Sequence, residues 1–320
     1  MPTQRAHGGA ALIPINLVTP GQAGLNTEAE ATLLGPEWAT TLTNVAFDSA
    51  GRASVRKGWS SGTSSAVSGV VMRVFEYLKA DATSEIIFST DADIFSGIAT
   101  PASVEGSLAI AEGNIKFVNF NDKCIALGTG TSANPSVYTG TGNFTTVSVA
   151  TGTAPTSGTG ISAFGRLWVV DTDGATIRYC ALLDETKWAS ADGGGTINMA
   201  KVWPNGMDTV MALAELAGDL VVFGKNNIVV WTDGQGSSLG IDPLAMYISD
   251  TIPNIGCISQ FCVERAAGDL WFMSSSGLQT LSRAIQNKTT PVSSISKNVT
   301  SKYSAWLALE SDEDDLSLIY

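Results

Sequence analysis

The residues of this 320-residue chain best suited to chemistry are a serine in Gly58-Trp59-Ser60-Ser61-Gly62, four cysteines, one histidine and 30 carboxylates. The serine pattern is that of a nucleophile elbow, which needs a strand before it, a helix after it and a histidine base later in the chain. The only histidine is His7, which precedes the serine. We therefore read the segment as a turn following Arg56 and Lys57, not as an esterase site. Gly128-Thr129-Gly130-Thr131-Ser132-Ala133 is a loose dinucleotide fingerprint, but that motif requires a helix directly after it, and Asn134 and Pro135 follow instead. No phosphate-cradling G-x-x-x-x-G-K-[ST] loop is present.

Metal chemistry has equally little support. Asp171-Thr172-Asp173-Gly174 opens like a calcium loop, yet Leu182 stands where the bidentate glutamate belongs, so a hairpin turn is expected. Cys124, Cys180, Cys257 and Cys262 lie 56, 77 and 5 positions apart, neither a zinc ligand spacing nor a disulfide framework, and read as buried free thiols. The Asp312-Glu313-Asp314-Asp315 run reads as a solvated turn. No pair of carboxylates stands out for glycosidase work, and Trp168 and Trp271 read as core residues rather than sugar platforms. The expectation is a protein with no catalytic residue, no cofactor and no metal.

Eighteen basic residues against 30 acidic ones give a net charge of −12, which repels nucleic acid and anionic membranes and disfavours a DNA-gripping role. No apolar run approaches the ~20 residues of a membrane span, and the N-terminus lacks an apolar signal core. A soluble protein made in a reducing cytoplasm is expected.

The elements follow from the pattern of apolar bursts. Ile86-Ile87-Phe88, Ile125-Ala126-Leu127, Leu167 to Val170, Leu220 to Phe223, Leu270 to Met273 and Leu316 to Ile319 begin 39, 42, 53, 50 and 46 positions apart. Such spacing, with only 15% charged residues and 33 glycines, indicates an all-β, β-propeller-like fold with six blades. Gly165, Gly218 and Gly268 precede the three clearest bursts as permissive turns, and Asp173-Gly174 and Asn226-Asn227 suit hairpins with positive φ. The sixth burst begins five residues before the chain ends, so it would need N-terminal strands, or residues beyond this chain, to complete its sheet. Residues 1–65 read as an extended docking arm with a candidate helix around Glu28 to Asn44, and residues 66–320 as the propeller domain. The Gly128 to Gly160 stretch, rich in Thr, Gly, Ser and Ala, reads as a long exposed loop or hairpin.

In the arm, Gly24-Leu25-Asn26, Asn44-Val45, Phe47-Asp48, Gly51-Arg52 and Val55-Arg56-Lys57-Gly58-Trp59 follow one another. Further on come Ile177-Arg178-Tyr179, Asp184 to Trp188, Leu220 to Phe223, Ile228 to Trp231, Gly256-Cys257 and Asp269 to Met273. This layout resembles the tail nozzle, or packaged-DNA stabilisation, proteins that complete the heads of short-tailed bacteriophages. The resemblance implies a homohexameric ring in the virion tail or head-tail connector, assembled in the host cytoplasm against portal, adaptor and other tail proteins. It implies a channel that DNA crosses without sequence-specific binding, to which an acidic wall is suited. Arg52, Arg56 and Lys57 are then the candidate assembly contacts, as basic residues in an acidic chain. Two other readings stand beside it: a carbohydrate-binding or hydrolytic propeller with its site at the axis, and a cellular propeller adaptor.

Overall fold

The computed structural model describes residues 21–48, 50–64, 66–106, 115–128, 135–156, 158–204, 206–233, 241–286, 294–310 and 316–319. They form two compact units, residues 1–59 with 297–303, and residues 60–296 with 304–320.

The smaller unit holds two short sheets. Gly24–Leu25 pairs in parallel with Trp38–Ala39, and Val45–Phe47 pairs antiparallel with Ala53–Val55. The helix expected over Glu28 to Asn44 is absent, and only one 3-10 turn forms, at Ala31–Leu33. Pro36 explains this, since it offers no N–H and pushes Gly35 toward extended backbone. The turn before it is tied down by side chains. Asn26 Oδ1 accepts from the Glu28 and Ala29 amides, and the Glu28 carboxylate accepts from the Ser301 amide and hydroxyl, each at 2.8 Å. Those Ser301 bonds hold the Glu28 carboxyl below its ordinary range.

The larger unit is a β-propeller of five blades. Blade 1 comprises Val71–Leu78, Ser84–Thr90, Ile94–Ser96 and Ala102–Ser103; blade 2, Lys116–Phe120, Lys123–Leu127, Ser136–Tyr138 and Thr145–Thr146. Blade 3 comprises Gly160–Ala163, Arg166–Val170, Thr176–Tyr179 and Gly195–Asn198; blade 4, Val210–Leu216, Asp219–Gly224, Asn227–Thr232 and Tyr247–Pro253. Blade 5 has three strands, Val263–Ala266, Asp269–Ser274 and Gly277–Thr280, followed by the short helix Leu281–Gln286 packed on its sheet. Each sheet is an antiparallel meander whose first strand lies innermost.

The first five apolar bursts are the second strands of the five blades. In blades 2 to 4 they read as unbroken apolar runs because the second strand is covered on both sides by neighbouring blades, so odd and even residues are buried alike. In blade 2, Cys124 and Ala126 join a core with Tyr77 and Ile87 of blade 1, while Ile125 and Leu127 join one with Leu167 and Val169 of blade 3. In blade 3, Trp168 and Val170 face Leu213, Leu220 and Val222 of blade 4.

The sixth burst is not a blade. Leu316 to Ile319 adopt no strand, and the Leu318 amide donates to the Phe261 carbonyl at 2.8 Å. That run lies along blade 5 as a single strap. Blade 5 meets blade 1 through the Arg73 guanidinium, which sits 3.7 Å over the Phe261 ring.

The Gly128 to Gly160 stretch is also more structured than expected. Its residues 135–156 supply the two outer strands of blade 2, and Tyr138, Phe144 and Val147 within it are buried. Two aromatic anchors suffice to seat an otherwise small, polar segment. Residues 129–134 lie outside the described residues.

In blades 2 to 5 the hairpin turns between the first and second strands are mirror-image turns in which both central residues have positive φ, at Asn121-Asp122, Phe164-Gly165, Ala217-Gly218 and Ala267-Gly268. Asn226 and Asn227 do not have positive φ; their turn is held instead by Asp208, whose Oδ2 accepts from the Asn226 amide at 2.8 Å and Asn227 Nδ2 at 2.7 Å.

Candidate functional site

Three features of the surface have the chemistry of a binding site. The first is the hairpin that carries the three predicted contact residues. Arg52 is paired within its own turn, with Nε 2.6 Å from Asp48 Oδ2. Arg56 and Lys57 follow the second strand, are exposed and form no ion pair among the described residues. Val45, Val55 and Trp59 around them are exposed as well, Trp59 by 89%. Two free cations beside a large apolar residue form a surface suited to an acidic, partly apolar partner.

The second feature is the face of blade 1 that blade 2 does not cover. Along its inner strand Phe75 and Tyr77 turn toward the blade 2 core, and alternation places Val74 and Leu78 on the opposite face. Val74 is 66% and Leu78 55% exposed, with Val70 and Val71 exposed just before them. The strand itself is fixed: Asn119 of blade 2 accepts from the Leu78 amide and donates to the Glu76 carbonyl, and Tyr77 donates to the Asp122 carbonyl. Glu76 lies exposed between Val74 and Leu78 on the same face, so the strand presents a mixed apolar and acidic surface.

The third feature is a cavity of about 450 Å³ at the rim of blades 3 and 4, lined by Arg166, Tyr179, Trp188, Gly193 to Gly195 and Asp242 among others. The Arg166 guanidinium donates to the Cys180 and Gly193 carbonyls at 2.8 and 2.6 Å. Glycines form one wall: a Cβ at Gly194 would lie 2.6 Å from the Trp188 backbone and one at Gly195 would collide with the Tyr179 ring, while Gly193 has a φ of +90°. Burial pushes the Tyr179 phenol up, an effect that Arg166 opposes and Asp242 reinforces. The phenol therefore stays protonated, able to donate a hydrogen bond but poorly placed to act as a base.

The other sequence motifs resolve simply. Ser60 and Ser61 lie between strands ending at Val55 and beginning at Val71, with no helix after them, so no elbow forms. Asp173 closes the expected hairpin turn, its carboxylate accepting from the amides of Ala175 and Thr176 and from the Thr176 hydroxyl. All four cysteines are buried and none forms a disulfide. Burial holds the thiols of Cys124 and Cys257 far above their ordinary range and that of Cys180 at about 12, which keeps them from acting as nucleophiles. Trp168 is buried, with Nε1 donating to the Ala163 carbonyl, whereas Trp271 is only partly covered. The blade 1 face and the rim cavity were not singled out from the sequence, since exposure of Val74 and the meeting of Arg166 with Asp242 depend on how blades neighbour one another.

No family model and no curated protein matches the chain. Solved structures similar to it include a streptogramin B lyase, at 13% identity over 67% of this chain and 70% of that one, with a TM-score of 0.40. BBS1N, solved in complex with ARL6DN, is similar at 12% identity over 66% of each chain, with a TM-score of 0.43. Hsv2 of Kluyveromyces lactis is similar at 10% identity over 71% of this chain and 75% of that one, with a TM-score of 0.39. These likenesses concern the fold alone and carry no function.

Proposed function

We propose that the chain is an assembly part rather than a catalyst, and that copies of it form a ring in the tail or head-tail connector of a short-tailed bacteriophage, through which packaged DNA passes and is retained. The observation that supports this most is the exposed side of the first strand of blade 1, where Val74 and Leu78 stand in water on either side of Glu76. Burying that face against a neighbouring copy would remove from water a surface that a lone chain leaves wet. The Arg56 and Lys57 pair supplies a second contact, complementary to the acidic surface of a chain with net charge −12. The sequence resemblance supplies the biological setting, with portal and adaptor as partners and DNA as unbound cargo.

Val74→Asp with Leu78→Asp tests the first contact, and Arg56→Glu with Lys57→Glu the second. Each pair should leave the circular dichroism of the fold unchanged and reduce the mass of the assembled species. Full-sized rings from both variants would remove both faces from the account.

A second reading rests on the rim cavity. Its aromatic walls, Tyr179 and Trp188, and its polar groups, Arg166 and Asp242, suit a small polar ligand such as a sugar. Retention of the protein on a glycan surface, abolished by Trp188→Ala, would favour a carbohydrate-binding propeller.

A further inference from the structure

The rim cavity between blades 3 and 4 contains a cation whose bonding is half complete. Arg166 opens the second strand of blade 3, and its Nη1 donates to the Cys180 and Gly193 carbonyls at 2.8 and 2.6 Å. Those bonds use both Nη1 protons and fix the plane of the guanidinium. Nε and Nη2 make no hydrogen bond or ion pair among the described residues, and neither is closed off from the surface. The edge they share carries two parallel N–H bonds, the fork that matches the two oxygens of a carboxylate.

Tyr179 is the second incomplete group. The residue is 5% exposed, yet its hydroxyl has no hydrogen-bond partner among the described residues and is not enclosed by protein. Pairing of the third and fourth strands of blade 3 sets Tyr179 opposite Gly195, and the phenol fills the space that a side chain at Gly195 would take. The hydroxyl therefore reaches the cavity at its glycine wall. The ring itself is fixed, with its centroid 4.9 Å from that of Trp168 and 5.6 Å from the Arg166 guanidinium carbon.

Blade 4 contributes an acceptor. Asp242 Oδ1 accepts from the Leu244 amide at 3.0 Å, which leaves Oδ2 without a partner among the described residues. Ser190, at the mouth, adds a hydroxyl that is likewise unpartnered among them. A phosphate dianion would suit the donors but meet Asp242 as a like charge. A neutral sugar would leave the guanidinium edge without a counter-charge. A ring with one carboxylate and several hydroxyls satisfies the donors and the acceptor together, and a cavity of about 450 Å³ is of the size that seats one small molecule.

We propose that the rim cavity binds a sugar acid, a pyranose ring bearing a carboxylate. The carboxylate takes the Nε–Nη2 edge of Arg166 and the Tyr179 hydroxyl, and ring hydroxyls donate to Asp242 Oδ2 and bond to Ser190. This assignment rests on the carbohydrate reading of the same cavity, and it is independent of ring formation because every lining residue comes from one chain.

The test is isothermal titration calorimetry of the whole chain with D-glucuronate, D-galacturonate and N-acetylneuraminate, against D-glucose, D-galactose and cyclohexanecarboxylate. The first two controls keep the ring hydroxyls without the charge, and the third keeps the charge without the hydroxyls. At least one acid should bind about tenfold or more tightly than every control. Tyr179→Phe removes a hydroxyl that no described protein group uses, so the melting temperature should hold while affinity for that acid falls about threefold or more. Arg166→Lys keeps the charge but loses the fork, and should lower the affinity about tenfold. Neutral sugars binding as tightly as the acids would overturn this assignment and leave the carbohydrate reading standing, whereas binding of no sugar at all would remove both. Cyclohexanecarboxylate binding as tightly as the acid, or wild-type affinity in Tyr179→Phe or Arg166→Lys, would overturn the assignment as well.

Discussion

Ala217 and Gly218 form the turn between the first two strands of blade 4, both with positive φ, at 54° and 91°. A left-handed conformation costs an L-residue ~1–2 kcal/mol, and asparagine tolerates it best among residues with a side chain. Ala217→Asn should therefore stabilise the fold by roughly 0.5–1 kcal/mol in urea unfolding. Gly218→Ala should destabilise it by about 1 kcal/mol for conformational reasons alone, since a Cβ there meets nothing within 4 Å. Loss of more than ~3 kcal/mol from Gly218→Ala would mean that contacts, not φ, decide the residue. Half of this turn was legible beforehand: Gly165, Gly218 and Gly268 announced themselves as turn residues. Phe164, Ala217 and Ala267 did not, because nothing in a phenylalanine or alanine signals positive φ; tertiary packing imposes it.

A blade's second strand is the element that carries most of the core, and its two faces serve two different neighbours. Leu167 contacts the blade 2 side and Trp168 the blade 4 side, and both are completely buried. Leu167→Ala should cost ~2–5 kcal/mol and Trp168→Ala ~3–5 kcal/mol, although the residues are adjacent in sequence. In a sheet covered on one face only, one of the two would be nearly silent, so a cost below ~0.5 kcal/mol for either would contradict the interleaved packing. Such strands were easy to read in advance, because burial on both faces writes itself as a continuous apolar run. Counting them was harder. Leu316 to Ile319 have the composition of a second strand but no hairpin partners, and composition does not distinguish a strand from a strap. The outer strands of blade 2 were missed for the opposite reason: Thr, Ser and Gly dominate them, and only Tyr138 and Phe144 mark their burial.

At the scale of the molecule, stability should respond to alkali through groups held neutral by the core. Burial raises the Tyr77 phenol to about 12 and the Cys180 thiol to about 12, and raises the Cys124 and Cys257 thiols as well. A folded-state value above the unfolded one gives stability that is complete below the unfolded value and lost as the pH rises through the folded one. Lys116 has the opposite sign, since its lowered value lets the fold gain stability from about pH 8 to the ordinary lysine range. The two trends oppose each other near pH 9, and the loss should dominate between ~10 and 12, with tyrosinate absorption at Tyr77 appearing together with unfolding. Ionisation of Tyr77 well before loss of ellipticity would show that its environment is open in the folded protein.

The proposed assembly belongs to the same scale, and it rests on an incomplete enclosure. Blades 1 to 4 bury apolar clusters between neighbours, whereas Val74 and Leu78 of blade 1 remain in water. The propeller class was legible from burst spacing, but this open face was not, because it depends on which blade lies beside which. Light scattering of the purified protein over a wide concentration range, alone and with a portal-adaptor complex, tests the assembly directly. A ring mass of about six subunits, in keeping with closed cyclic symmetry, is the expected result, reached alone or on the partner. A strict monomer at every concentration, indifferent to the partner, would contradict it and leave the rim cavity as the place where this protein acts.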